Sequence, residues 1–379
     1  MQLTGRFRGS GLGRGRDDGA VTMLVAVLLA GGVLLGMAAL TVDVGLIHAE
    51  RRELQNGADA AALAVAQQCA VGPTCDTSTG GLADTYADSN ARDSAARVTT
   101  VCGSGPSVPG CPASTGPALT RCATSVPSGL QGWIEARTAT ETGGGQTLLP
   151  PRFARALAGN AGYAGTEVRA CGRAAWGTPT SATPALPVTI SLCEWNRMTA
   201  NGTSFAPSPP YPPYPTSYER ALYLHNTTGA TNCPAGPSGS DLAGGFGWLH
   251  SSGCSATVSA TGWVDDDPGV SMPTPCRSVI ANVVGTGGGL VMMPIFVETN
   301  GLTGSNGTYR IDGFAAFYLT GYAMPGERRD SVASGRRYCS GSDKCLYGWF
   351  TKALVPVGSL TSGGSGATPR GASVVDLIG

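Results

Sequence analysis

Net charge, lysine and histidine are what this sequence has least of. The 379-residue chain carries 25 basic and 25 acidic residues, so its formal net charge at pH 7 is zero. It has only two lysines, Lys344 and Lys352, and three histidines. A balanced charge offers no basic excess for nucleic acid and no acidic tail for a cationic partner. We therefore expect no nucleic-acid partner.

Patterns typical of catalytic and metal sites are also missing. No window matches the G-x-S-x-G turn of a serine hydrolase, and no two cysteines form a C-x-x-C pair. His48 lies beside an apolar segment, and His225 and His250 lie in β-type stretches, where a packed or solvated histidine is the ordinary case. The acidic turn GWVDDDPG could offer oxygens from Asp265, Asp266 and Asp267, but calcium takes six to eight oxygen ligands and the turn lacks an EF-hand pattern, so a solvated turn is the ordinary case. The sequence predicts no catalytic site, metal, cofactor or small-molecule substrate.

The chain contains one long apolar segment, from Val21 to Leu40, without any charged side chain. About 20 helical residues cross a bilayer core of about 30 Å, whereas a cleaved signal has a shorter apolar stretch. Basic flanks stay in the cytoplasm. The basic residues before this segment are Arg6, Arg8, Arg14 and Arg16. We expect a single-pass membrane anchor with a cytoplasmic N-terminus and the bulk of the chain outside the cell.

Helical periodicity continues beyond the apolar segment. Small and apolar residues recur there with spacings of three, four and seven, which predicts one long helix ending at Gly72-Pro73. These residues form a stripe that includes Leu54, Ala58, Ala61 and Val65. The stripe would allow a helix or a sheet to approach closely.

Three residues near the apolar segment are candidates for contacts with partner helices in the membrane. Gly32 and Gly36 form a G-x-x-x-G pattern that permits close helix pairing in lipid. Asp43 lies at the outer end of the segment, where a carboxylate is costly without a partner. It either binds an amine or arginine of another subunit or marks where the lipid ends. Both interpretations stay open at this stage.

All twelve cysteines follow the apolar segment. An even number without zinc-type spacing predicts structural disulfides, and disulfides persist in oxidising space outside the cytoplasm. This agrees with the predicted topology. Connectivity does not follow from sequence, but loop lengths favour three candidate pairs: Cys193 with Cys233, Cys254 with Cys276, and Cys339 with Cys345.

Composition divides the chain into five parts and predicts an α+β fold. Helical patterns in the first half predict helices over Leu82–Ala96 and from Pro151, and short strands with Gly, Ser, Pro and Asn turns dominate the second half. Alternating residues predict strands in RVTTVC, WIEARTATE and TEVRACGRAAWG of the first half and in VTISLCEW, GLVMMPIFVE and YRIDGFAAFYLTGY of the second. The predicted parts are a disordered cytoplasmic tail (1–18), a transmembrane and spine helix (19–72), an α+β region (73–177), a mainly β extracellular domain pinned by disulfides (178–357), and a flexible tail with a possible last strand (358–379).

The stretch GAVTMLVAVLLAGGVLLGMAALTVDVGLIHAERRELQNGADAAALAVAQ resembles the TadE/TadG-like family of tight-adherence, or Flp-type, pilus assembly proteins. Its VD-x-G at Val42, Asp43 and Gly45 and its LQNGADAAALA from Leu54 match that family's pattern. The resemblance implies a pilin-like helix packed on a small sheet, and partners among other pilus-assembly or pilin-like subunits. Pseudopilins of this system are commonly cut after a glycine, with glutamate at the fifth mature position. A cut after Gly19 would place Leu24 at the fifth mature position, where those pseudopilins have glutamate.

Two other classes of function were weighed. The chain could be an anchored adhesin or cell-surface binding protein that shares only the anchor helix with the pilus family. A membrane-tethered hydrolase has weaker support, because it would have to depend on His225 or His250. The sequence favours a membrane-anchored, outward-facing component of pilus assembly and secretion that acts through contacts between subunits.

Overall fold

The computed structural model describes residues 17–30, 32–112, 122, 125–153, 155, 162–224, 246–267, 271–285, 287–300, 307–355 and 367–379. The predicted tail 1–18 lies outside the described residues except for Asp17 and Asp18, which begin the first helix. His225 and Cys233 also lie outside them. The architecture is mixed: N-terminal helices pack on one sheet, and a larger, mainly β part with disulfides follows.

The apolar segment forms two helices, α1 (Asp17–Ala30) and α2 (Val33–Val71), and not the single predicted helix. The break comes at Gly32, whose φ of 67° is left-handed, a conformation that glycine adopts at no steric cost. The expectation of one continuous helix over 19–72 is therefore wrong at this point. Within the described ranges, no helix combines the length and apolar character needed to span a bilayer.

The C-terminal end of α2 is where the sequence places it, with Gly72 as the capping residue. The next helix, α3 (Leu82–Ser89), is shorter than the predicted Leu82–Ala96. Its first turn is held by the Asp76 carboxylate, which accepts a hydrogen bond from the Leu82 N–H at 3.0 Å. From Ala96 onward the chain is extended, because it enters the first sheet.

The first sheet takes strands from both ends of the chain. Its order is β1-β2-β3-β15-β14, and all its pairings are antiparallel except the parallel pair β14 and β15. The possible last strand of the C-terminal tail thus forms, and it lies between β3 and β14 and not at an edge of a sheet. The strands are β1 (Ala96–Ser104), β2 (Gly132–Thr140), β3 (Arg169–Gly177), β14 (Ala353–Leu354) and β15 (Ala372–Leu377).

The second sheet is built around two long antiparallel strands, β10 (Gly289–Asn300) and β11 (Thr308–Met324). Its order is β6-β13-β11-β10-β5-β7, with two further short strands, β9 and β12, on β11. Its other strands are β5 (Val188–Ser191), β6 (Arg220–Tyr223), β7 (Phe246–Trp248), β9 (Trp263–Asp265), β12 (Glu327–Arg329) and β13 (Cys345–Thr351), and a separate pair joins β4 (Ser181–Ala182) to β8 (Val258–Ser259).

Two helices pack on the second sheet, α4 (Leu192–Thr199) and α5 (Cys276–Gly285). The stretch VTISLCEW, predicted as one strand, ends as a strand at Ser191 and turns into α4. Ser191 is the reason, because its hydroxyl accepts the Glu194 N–H at 3.1 Å and caps the new helix. A single residue, Lys352, separates β13 from β14 and so connects the two sheets.

Candidate partner-binding surface

The outer half of α2 lies flat on the first sheet. Leu54, Ala58, Ala61 and Val65 are at most 1% exposed, and they belong to the core that α2 forms with α3 and with β1, β2 and β3. The approach is close: a Cβ built on Gly172 of β3 would come within 2.6 Å of the Ala58 carbonyl carbon. The predicted stripe therefore serves packing within the chain.

Polar groups of α2 reinforce this packing. Gln55 Nε2 donates to Asp59 Oδ1 at 2.9 Å and to the Cys171 carbonyl oxygen at 2.8 Å. The Thr138 hydroxyl donates to the Leu54 carbonyl oxygen at 2.9 Å. Burial of Asp59 against the sheet raises its pKa, and the hydrogen bond from Gln55 opposes this effect. These contacts orient one face of the helix toward β3.

Asp43 has its partners within the same chain. Its buried carboxylate accepts backbone N–H bonds from Arg152 at 2.8 Å and from Phe153 at 3.2 Å. Neither sequence interpretation included these contacts, and a partner subunit's cation and a marker of the lipid boundary both stay predictions for Asp43. The bend at Pro151–Phe153 replaces the start of the predicted third helix, whose residues 154 and 156–161 lie outside the described ones.

An apolar recess of about 220 Å³ lies beside Asp43. Its walls come from α2 and from the loop that Asp43 binds, and they include Leu40, Ile47, Leu149, Pro150 and Tyr163. The Asp43 contacts thus hold a loop against the helix just where the apolar segment ends.

The inner part of the helical region exposes apolar side chains. Val21 is 65% exposed and Leu40 56%, whereas Gly32 and Gly36 are half-exposed. No heavy atom outside the local backbone lies within 4 Å of a Cβ built on Gly32. The other exposed large apolar residues of this region are Met23, Leu24, Val25, Val27, Leu29, Met37, Val42 and Val44. This uncovered face, from Val21 to Val44, is the candidate surface for lipid or partner helices.

Disulfides occur in both parts of the described chain. The structure joins Cys254 to Cys276 and Cys339 to Cys345, two of the candidate pairs. Cys193 is also disulfide-bonded, and its predicted pairing with Cys233 stays a prediction. Three further bridges join Cys69 to Cys75, Cys102 to Cys111, and Cys122 to Cys171.

Two clusters of cysteine and glutamate side chains lie close together but do not form a metal site. Two groups among the described residues bring Glu135 close to cysteine sulfurs, but these cysteines are paired in disulfides and offer no thiolate. Glu135 instead forms ion pairs with Arg137 and Arg173, both at 2.6 Å. The side chains of His48 and His250 are exposed, and neither belongs to these two groups.

Sequence reasoning missed several buried carboxylates, among them Glu135 and Glu219. Glu135 bridges β2 and β3 through its two arginines. Glu219 is 2% exposed and accepts hydrogen bonds from the hydroxyls of Thr320, Ser331, Ser334 and Tyr338. The first carries a local signal, the alternation of charge in E-A-R on a strand, whereas the second depends on residues more than 100 positions away.

Comparison with known proteins gives one match. No curated protein and no solved structure matched the chain. Residues 19–68, which cover most of α1 and α2, match the family described as putative Flp pilus-assembly TadE/G-like, and this confirms the resemblance seen in the sequence.

Proposed function

We propose that the protein is a membrane-anchored, outward-facing component of Flp-type pilus assembly that acts by binding other subunits. The observation that carries this proposal is how the family-matched region divides. Its outer half is buried on the first sheet, whereas its inner half exposes the face from Val21 to Val44. The outer half contributes to the core on the first sheet, and the inner half has an exposed apolar face that can bind lipid or partner helices.

In this proposal, lipid surrounds most of the exposed face from Val21 to Val44. Burial of apolar surface is favourable by about 25 cal/mol per Å², and a continuous exposed strip of such side chains is unusual in a protein surrounded by water. Backbone polar groups in lipid need partners within the chain. At the break between the helices, the Gly32 N–H donates to the Leu29 carbonyl and the Gly36 N–H to the Gly32 carbonyl. The break is thus compatible with burial in the membrane.

The proposed arrangement keeps the N-terminus in the cytoplasm and the disulfide-bonded parts outside. Partner helices would contact the half-exposed glycines Gly32 and Gly36, where small residues permit close approach. Asp43 would act indirectly, since it holds the loop at Arg152 and Phe153 against the base of the exposed face. In this proposal the protein works through its surfaces and not as a catalyst.

Two measurements test the proposal at different levels. Membranes washed at alkaline pH should retain the full-length chain, and detergent should release it; recovery in the wash would contradict the anchoring. Deletion of the gene should abolish surface pili counted by electron microscopy, and the intact gene should restore them. Normal pilus numbers in the deletion strain would contradict the role in assembly. The intact mass of the protein would also show whether the mature chain begins at Ala20, as it would after trimming by a peptidase.

A further inference from the structure

A polar cleft of about 310 Å³ lies where the two sheets meet, outside the family-matched region. Ligand sites are commonly clefts of about 300–1,000 Å³ between structural units. Its walls come from the end of α2, the start of β2, the turn after α4, and the chain that runs from β13 to β15. The residues used in the argument below are Gln131, Asn201, Phe205, Lys352, Arg370 and Ser373.

The lining of this cleft is cationic. Lys352 and Arg370 both line it, and none of its described lining residues is an aspartate or a glutamate. The Lys352 side chain forms no ion pair with the described residues, and its ammonium lies 5.6 Å from the centre of the Phe205 ring. Lys352 is therefore positioned by an aromatic contact while it keeps its hydrogen-bond donors for another group.

Arg370, which lines the same cleft, is held rigidly. Its guanidinium carbon lies 4.7 Å from the centre of the Trp195 ring, and Nε and Nη2 both bind Asp312 Oδ2. These bonds leave Nη1 without a hydrogen-bond partner among the described residues. A fixed guanidinium with a remaining donor is well suited to an oxyanion, because little side-chain entropy is lost on binding.

Neutral hydrogen-bonding groups complete the lining. The amides of Gln131 and Asn201 can donate and accept, and the Ser373 hydroxyl, which donates to the Ala70 carbonyl oxygen at 3.3 Å, also lines the cleft. Amides beside an aromatic ring suit a ligand with many hydroxyl groups, and the two cations suit a carboxylate. From this combination we infer that the cleft binds a small acidic sugar, with its carboxylate between Lys352 and Arg370.

The full-length protein in detergent provides the test, with glucuronate, galacturonate, glucose and inorganic phosphate as probes in calorimetric titration. We expect the two uronates to bind with a Kd below about 10 mM and glucose to bind at least about tenfold more weakly. Absence of uronate binding would overturn the inference. Phosphate binding as tight as that of the uronates would overturn the sugar assignment, since the site would then recognise only an anion.

The two lysines provide a matched pair of variants. Lys352→Met keeps most of the length of the side chain and removes its charge, and it should weaken uronate binding at least about tenfold. Lys344→Met should leave binding unchanged, because Lys344 does not line the cleft. Equal affinity of the Lys352→Met variant and the unmodified protein would overturn the inference.

Chemical acetylation followed by mass spectrometry gives an independent readout without any variant. Bound uronate should slow acetylation of Lys352 and leave the rate at Lys344 unchanged. Equal acetylation of Lys352 with and without uronate would contradict the proposed position of the carboxylate.

Discussion

The two largest hydrophobic cores among the described residues are built from side chains of different size. Alanine dominates where α2 packs on the first sheet, as at Ala58 and Ala61. Large aliphatic and aromatic residues dominate the core of the second sheet, including Trp248 and Phe317. The first interface is close because its side chains are small, whereas the second is filled by interdigitated bulky groups. Enlarging a side chain should therefore destabilise the first core, and truncating a side chain should destabilise the second.

The largest expected effect comes from truncation in the second core. Phe317 is fully buried and lies 5.1 Å, centroid to centroid, from Phe350. Phe317→Ala should lower the free energy of unfolding by about 3–5 kcal/mol, because it removes apolar contacts and leaves a cavity. Denaturant titration of the detergent-solubilised protein would measure this. The milder Phe317→Leu should cost less, and equal losses for both variants would argue against a cavity effect.

Enlargement in the first core should come next. Ala61→Leu places a longer side chain between α2 and the sheet, and we expect a loss of about 1–3 kcal/mol. Gln67→Leu is the matched control, because Gln67 is exposed on the same helix. Its stability should change by less than about 0.5 kcal/mol. Equal stability of the two variants would show that the first core tolerates a larger side chain. This result would contradict the proposed difference between the two cores.

Asp43 provides a third test at the boundary between the buried and exposed halves of the helical region. Asp43→Asn removes the charge that strengthens the bonds from Arg152 and Phe153 and should cost about 1 kcal/mol. Hydrogen exchange should accelerate at these two amides, whereas the amides of β2 should be unaffected. Unchanged exchange at residues 152 and 153, together with lost pili, would favour a role for Asp43 in binding another subunit.

The smallest effect concerns Asp59 and depends on pH. Burial raises its pKa, so the folded protein favours the protonated form and ionisation of Asp59 opposes folding above the ordinary carboxyl pKa. Asp59→Asn should therefore be slightly more stable than the unmodified protein at neutral pH. The difference should vanish as the pH falls below the ordinary aspartate range, where Asp59 is protonated. A difference that does not change with pH would exclude ionisation of Asp59 as its cause.

Local sequence patterns predicted the elements that depend on near neighbours. The end of α2 at Gly72, the strands of the first sheet and the long pair β10 and β11 all follow from periodicity and turn residues. The family resemblance also rested on a local pattern and was confirmed over residues 19–68. The start of α4 shows the limit: apolar alternation predicted a strand, but the Ser191 cap ended it.

The sequence by itself determined a small-residue helix face, an apolar segment and an oxidised cysteine framework, because each depends on spacing or composition along the chain. Only the tertiary structure decided what these features contact. It paired Asp43 with a loop 109 residues away, returned the C-terminal strand to the first sheet, and brought Lys352 and Arg370 to one cleft. Such contacts join distant segments, and their energy depends on burial and geometry that no local pattern records.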